Sequence, residues 1–313
     1  MRKPIIMDCD PGHDDAIALL MAFASDQLEV KAVTTVGGNQ TSGKTLRNAM
    51  KVLSFAGITH VPVAAGASKP LVRELEIAPE VHGDSGLDGP ELPEPTFEAS
   101  PLSALALMEK VISESPEPVT LVPTGPLTNI ATLLIAAPHL KHKIQRISLM
   151  GGSAVGGNWT PAAEFNIMVD PEAAEIVFES GIPITMCGLD VTHKAQIFDE
   201  EIEDIRLQGG KVAVMVAELL DFFAKFHQEM GFEGSPLHDP CAVAWLIKPE
   251  LFTSKNLHVD IETCGEHTDG ATVVDIHGIT GKEKQVDVVF DVDRRAFIQL
   301  LNDSLQYYHQ RGF

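Results

Sequence analysis

The chain has 313 residues, 44% of them hydrophobic, enough for a buried core and against wholesale disorder. Lys and Arg total 23 against 44 Asp and Glu, a net charge of -21 that repels nucleic acid and anionic membranes and suits neutral substrates or cations. The four cysteines, Cys9, Cys187, Cys241 and Cys264, are too scattered for a zinc site or a disulfide framework. The N-terminal apolar run at 4–7 is too short for the hydrophobic region of a signal peptide. No stretch reaches the roughly 18 apolar residues of a membrane span, and the scattered cysteines read as the reduced thiols of a cytoplasmic protein.

In chain order, strand-like apolar runs at 4–7, 30–36, 61–65, 119–123, 144–150 and 182–187 alternate with amphipathic helical patterns at 16–24, 46–55, 103–113 and 171–179. This rhythm predicts a single α/β domain, 1–313, with a mainly parallel, Rossmann-like sheet flanked by helices. The runs are continuously apolar, as strands buried on both faces are. A Pro-, Gly- and acid-rich loop at 82–95 is longer than a connection needs, which marks it as functional. From about 195 the rhythm changes, with helices expected at 200–231 and 240–247 and strands at 257–274 and 285–292.

The first strand runs into Asp8-Cys9-Asp10-Pro11-Gly12-His13-Asp14-Asp15, four carboxylates within eight residues. Ligands of open α/β sheets bind beyond the carboxyl ends of strands. Pro11-Gly12 turns the chain, and Asp14 and Asp15 open the helix expected from Ala16, where its dipole favours anions. Such a group repels itself unless a cation joins it, and hard oxygen ligands point to Ca²⁺ or Mg²⁺ rather than zinc. An EF-hand loop counted from Asp8 would need Glu at its twelfth position, where Leu19 stands. Taken alone, the cluster also reads as a solvated acidic turn with a helix cap.

Gly38-Asn39-Gln40-Thr41-Ser42-Gly43-Lys44-Thr45 fits the phosphate-cradling pattern G-x-x-x-x-G-K-[ST] between a strand-like and a helix-like run. Asp8, ending a hydrophobic strand, would complete the Mg²⁺ shell of a P-loop NTPase. The acidity of the chain and the motifs further along count against that reading, and the plain alternative is a tight turn with Lys44 solvated.

The N-terminal cluster with Ala16 resembles the signature of the nucleoside hydrolase family, inosine-uridine-preferring type. Further segments follow in the family's order: Thr124-Gly125-Pro126-Leu127-Thr128-Asn129, Met150-Gly151-Gly152, Asn158-Trp159-Thr160-Pro161-Ala162-Ala163-Glu164-Phe165-Asn166 running into Asp170-Pro171-Glu172, and His238-Asp239-Pro240. The resemblance implies one Ca²⁺ per subunit, held by Asp10, Asp15 and Asp239 and by the Thr124 carbonyl, with Asp8 supporting Asp10 from behind. It implies ribose contacts from Asp14, Asn158, Glu164 and Asn166, with Met150 near the ribose and Asn39 near the attacking water. Taken singly, these residues read as turns, helix caps or core. Their chemistry suits N-glycosidic cleavage, because carboxylates stabilise an oxocarbenium-like ribosyl cation and Asp10 can take a proton from water activated by the ion.

For the departing base, His238 and His82 are the candidate donors, since histidine donates near neutral pH. Neither Trp159 nor Trp245 reads as a base-stacking residue. The stretch 222–232 reads as a mobile lid in which Phe226 and His227 contact the base. The segments Leu189-Asp190-Val191-Thr192-His193-Lys194-Ala195-Gln196 and Pro236-Leu237-His238-Asp239-Pro240 resemble those of bacterial pyrimidine-specific ribonucleoside hydrolases, which implies cytidine and uridine as substrates, pyrimidine salvage as context and a homo-oligomer, a tetramer by family habit. A broad-specificity or purine-accepting hydrolase and a non-catalytic Ca²⁺- and ribose-binding module stay open as alternatives.

Overall fold

The computed structural model describes residues 2–313. Its first half repeats one unit, a buried strand followed by a helix. The elements are β1 (Lys3–Cys9), α1 (His13–Ala24), β2 (Leu28–Thr35), α2 (Ser42–Phe55), β3 (Val63–Ala65), a short α3 (Pro79–His82), α4 (Ala104–Glu114), β4 (Val119–Pro123), α5 (Thr128–Ala136) and β5 (Ile144–Met150). Then come α6 (Phe165–Val169), α7 (Pro171–Phe178), β6 (Ile184–Cys187) and α8 (Leu189–Thr192). The rest is β7 (Gln196–Ile197), α9 (Asp199–Gln208), α10 (Lys211–Glu229), β8 (Ser235–Pro236), α11 (His238–Ile247), β9 (Phe252–Leu257), β10 (Val259–Ile261), β11 (Thr272–Val274), β12 (Val286–Val292) and α12 (Arg294–His309).

The central sheet has eight strands in the order β3-β2-β1-β4-β5-β6-β12-β9. Every neighbouring pair in it is parallel except β12–β9 at one edge. Side chains alternate faces along a strand, so Ile5, Met7 and Cys9 pack into one apolar cluster and Ile6 into the other. Burial on both faces is why β1 reads as a continuous apolar run. The expected single α/β domain with a mainly parallel sheet is what the chain forms.

The chain steps from β1 outward to β2 and β3, then returns to place β4 on the other side of β1. That reversal opens a crevice at the carboxyl ends of β1 and β4, where doubly wound sheets bind ligands.

The second half departs from expectation in two places. The helix expected at 200–231 is two helices, because Gly209 and Gly210 adopt φ of 77° and 88° and break the ladder between α9 and α10. The strand expected at 257–274 is three short strands, β9, β10 and β11, the last two paired as a hairpin off the main sheet. Helix α1 begins at His13 rather than Ala16, which puts Asp14 and Asp15 in its first turn. Among the described residues no helix is long and apolar enough to cross a membrane, and all four cysteines are free.

Candidate active site

The carboxyl end of β1, the N-terminus of α1 and the N-terminus of α11 converge on buried carboxylates. Asp8, Asp10, Asp14, Asp15 and Asp239 are all at most 4% exposed. One oxygen from each of Asp14, Asp15 and Asp239 falls within 4.8 Å of the others. Asp10 is not in that triplet but lies against Asp15, and Coulombic repulsion between the two helps raise the Asp10 carboxyl. No ion pair among the described residues reaches this group; Arg73 and Arg294, for instance, pair elsewhere.

Hydrogen bonds divide the carboxylates into distinct settings. The Asn39 main-chain N–H donates to Asp10 Oδ2 at 2.7 Å, while Asp10 Oδ1 is buried without a partner. Asp15 Oδ2 accepts from the Gly12 N–H at 3.0 Å and from Asn39 Nδ2 at 3.2 Å, and its Oδ1 accepts from the Thr124 hydroxyl at 2.8 Å. The Asp239 N–H lies 3.4 Å from Asp14 Oδ2. Asp8 lies outside the triplet, its Oδ1 accepting from the Thr34 hydroxyl at 2.6 Å and from Asn129 Nδ2 at 2.8 Å while its Oδ2 is buried without a partner.

Burial dominates the acidity of the group. It pushes Asp8 and Asp14 up to about 7, the latter helped by Asp15. Asp10 and Asp239 rise well above the usual carboxylate range for the same reason, with neighbouring aspartates adding repulsion. Several buried carboxylates with no cationic side chain among them are unstable as anions unless a positive charge joins them. An orphaned Asp10 oxygen beside a triplet of converging carboxylates therefore fits a hard divalent cation.

Above this floor opens a cavity of about 510 Å³ whose wall includes Asp14, Thr124, Asp239, Asn158, Glu164 and Asn166. Asp10 and Asp15 are not part of the wall and lie beneath it. Glu164 caps α6 and is pinned by three main-chain N–H groups, Gly152 at 2.9 Å and Ile167 at 3.1 Å on Oε2 and Asn166 at 3.0 Å on Oε1. Burial nevertheless raises it to about 7. Asn166 Nδ2 donates to the Thr124 carbonyl at 2.9 Å and the Met150 carbonyl at 3.2 Å. Asn158 Oδ1 accepts from the Phe165 N–H at 3.0 Å.

The opposite wall is aromatic and imidazole-rich, with His82, His193, Phe223, Phe226, His227 and His238 facing the space. Burial drives His82 and His238 well below the ordinary histidine range and His227 down to about 4. His238 Nδ1 is 2.8 Å from the Thr192 hydroxyl, and His227 Nδ1–H donates to the Phe223 carbonyl at 3.0 Å. Every wall or floor residue expected from sequence gathers in this one region. His82 is buried at the end of α3 rather than exposed in an open loop, and Trp159 lines the cavity with its Nε1–H on Glu76. Trp245 lies under the Arg146 guanidinium instead.

His193, Phe223 and Phe232 lie within segments singled out by sequence, the last two in the 222–232 stretch, but neither they nor His13 was assigned an individual role. The phosphate-loop match does not form a phosphate cradle. The Asn39 N–H is spent on Asp10, a Cβ at Gly38 would sit 2.1 Å from Asp10 Oδ2, and Lys44 donates to the Asp84 carbonyl.

A family model described as inosine-uridine preferring nucleoside hydrolase matches residues 5–299. The chain is 61% identical to the pyrimidine-specific ribonucleoside hydrolase RihA of Photobacterium profundum over 98% of its length and all of that protein. It is 58% identical to the RihA of Escherichia coli K12 with the same coverage. A solved purine-preferring ribonucleoside hydrolase from Gardnerella vaginalis superposes with a TM-score of 0.93 at 32% identity, covering 99% of this chain and 100% of that one. With matches of this reach, the chain belongs to the inosine-uridine preferring nucleoside hydrolase family and is an enzyme of that family.

Proposed function

We propose that the enzyme hydrolyses the N-glycosidic bond of pyrimidine ribonucleosides, cytidine and uridine, releasing free base and ribose, with one Ca²⁺ ion at the carboxylate floor. The observation that carries this reading is the buried acidic floor beneath a cavity whose far wall is histidine and phenylalanine. Asp10, Asp15, Asp239 and the Thr124 carbonyl would hold the ion. Asp14 stands close to that group yet also lines the cavity, which suits it to a ribose hydroxyl. When bound, the ion supplies charge compensation for the floor, a grip on the ribose diol and an acidified water.

The chain's own groups supply the rest. Asp10 takes a proton at Oδ1, its only unpartnered oxygen, while Asn39 holds Oδ2 in place. Asn166 and Asn158 each spend one amide atom on the backbone and keep the other for sugar hydroxyls. Glu164, immobilised by three N–H groups, is held against the sugar and, once deprotonated above about pH 7, adds negative charge opposite the developing ribosyl cation. His238 donates to the departing base, and His82, Phe226 and His227 surround that base, with Met150 beneath the sugar.

Pyrimidine preference is supported by relatives at 58–61% identity whose names carry it, whereas the purine-preferring neighbour is 32% identical with the same fold. Base choice therefore resides in wall side chains rather than in the sheet. A cytoplasmic homotetramer serving pyrimidine salvage completes the proposal; light scattering tests the assembly. The function is checked by a reducing-sugar assay on uridine, cytidine, inosine and adenosine. Release from the pyrimidine nucleosides should exceed that from the purines, vanish with chelator and return with calcium. Binding of nucleoside without release from any of the four would support a non-catalytic module and contradict the proposal.

A further inference from the structure

Trp159 enters the cavity wall from the segment that also carries Asn158, Glu164 and Asn166. The turn that presents it is tight. The Trp159 and Thr160 N–H groups both donate to the Ala163 carbonyl at 3.2 Å, and the Thr160 hydroxyl oxygen accepts from the Ala162 and Ala163 N–H groups at 3.2 and 2.9 Å. The return of the chain needs glycine at position 157, where a Cβ would come within 2.2 Å of the Ala163 carbonyl oxygen. The indole itself is fixed twice more. It stands edge-on to Phe165 with ring centroids 4.9 Å apart, and its Nε1–H donates to Glu76 Oε2 at 2.7 Å. Glu76 belongs to the segment between β3 and α3, so the indole ties this turn to the chain that leads into the wall residues Ala78 and Val81.

The rings around the cavity fall into two groups. His82, Phe223, His227, Phe232, His193 and His238 form one run of successive ring contacts. Among the described residues Trp159 and Phe165 are no part of that run and pack with Ala78 and Val81 instead. A ribose carries its diol, its base and its hydroxymethyl group on different sides of one ring. With the diol at the carboxylate floor and the base among the histidines, the hydroxymethyl end is left to the Trp159 side. The indole N–H is spent on Glu76, so the ring offers apolar surface, which suits the C–H groups of that end. The neighbouring Asn158 amide, whose Nδ2 is free of the Phe165 contact, serves the hydroxyl.

We propose that Trp159 is a specificity-determining residue that closes the cavity against the hydroxymethyl end of the ribose and so limits the enzyme to nucleosides unsubstituted there. This rests on the reading that the cavity takes a nucleoside with its diol on the floor and its base among the histidines. The contact is with the sugar, so it is the same whichever base is attached. It touches no reacting atom, so it holds ground state and transition state alike and acts on KM rather than on kcat.

The test is steady-state kinetics of calcium-loaded native enzyme and Trp159→Ala on uridine, cytidine, inosine and 5′-O-methyluridine, which carries one extra methyl group on the hydroxymethyl oxygen. Trp159→Ala should raise KM for uridine, cytidine and inosine by one common factor of about tenfold, with kcat changed less. The native preference for uridine over 5′-O-methyluridine, as a ratio of kcat/KM, should fall about tenfold in the variant, the low end of what one such group is worth in a fitted pocket. An unchanged preference, or a rise in KM confined to one base, would overturn the proposal. If Trp159→Ala does not fold, Trp159→Phe, which keeps a smaller ring, decides by a fall in the same direction. A second readout needs no turnover. The chain has two tryptophans, and Trp245 lies outside the cavity wall under the Arg146 guanidinium. Stopped-flow mixing with uridine should therefore change the tryptophan emission of the native enzyme before product forms, and leave that of Trp159→Phe unaltered. Binding or turnover of uridine with no change in native emission would overturn the proposal. An enzyme that binds uridine at Trp159 yet cleaves no nucleoside would refute the functional reading alone, and the same emission, titrated with uridine and 5′-O-methyluridine, would then decide whether Trp159 closes that end.

Discussion

Asp8, Asp14 and Glu164 each hold a proton up to about pH 7, against an ordinary carboxylate value of roughly 4. Between those values the folded chain binds more protons than the unfolded one, so their contribution to stability falls as pH rises across that window. Above it the full destabilisation of buried anions is present unless a cation offsets it. The calcium-induced rise in Tm should therefore be larger at about pH 8 than at about pH 5, since deprotonated carboxylates are what the ion binds. Thermal melts with calcium and with chelator at both pH values check this, and a calcium shift that is equal at both would contradict it. The acidic residues themselves were legible in sequence, because they lie close together on one strand–helix turn. Their division into ion-binding and sugar-facing members came only from the resemblance, since the hydrogen bonds that fix it reach to Thr124 and Asn166 in distant segments.

The turns after β1, β2 and β4 hold Asp10 by lack of side chains as much as by hydrogen bonds. A Cβ at Gly125 would sit 2.4 Å from Asp10 Oδ1, the oxygen assigned to proton transfer. Gly125→Ala should thus displace Asp10 and lower kcat by about 10²-fold or more, the scale of a lost general base, while the fold melts as one unit. Steady-state kinetics paired with circular dichroism measures both, and a near-native kcat would rule out this role for the turn. Most strands were readable as apolar runs because a parallel sheet buries both faces. The α9–α10 break was hidden because apolar spacing continues across it, although Gly209-Gly210 was its visible signal. The hairpin of β10 and β11 could not be separated from β9, as its strands have only three residues each.

Across the whole molecule, the sheet order brings together ends of elements that lie far apart in the chain. The reversal between β1 and β4 opens the crevice, and α11 brings His238 and Asp239 to it from more than two hundred residues away. Family motifs made those members legible, whereas the contacts of His13 with His82 and Asp88, 69 and 75 residues distant, left no local pattern. On the proposed function, this assembled site cleaves pyrimidine nucleosides with Asp10 as proton acceptor. Its most direct test is uridine turnover by the native enzyme and by Asp10→Asn at saturating calcium, with calcium binding measured on both proteins. The native enzyme should release uracil and ribose in equal amounts, and Asp10→Asn should be slower by about 10²- to 10⁴-fold. No uracil from the native enzyme, or a native rate from Asp10→Asn, would contradict Asp10-dependent cleavage at this site.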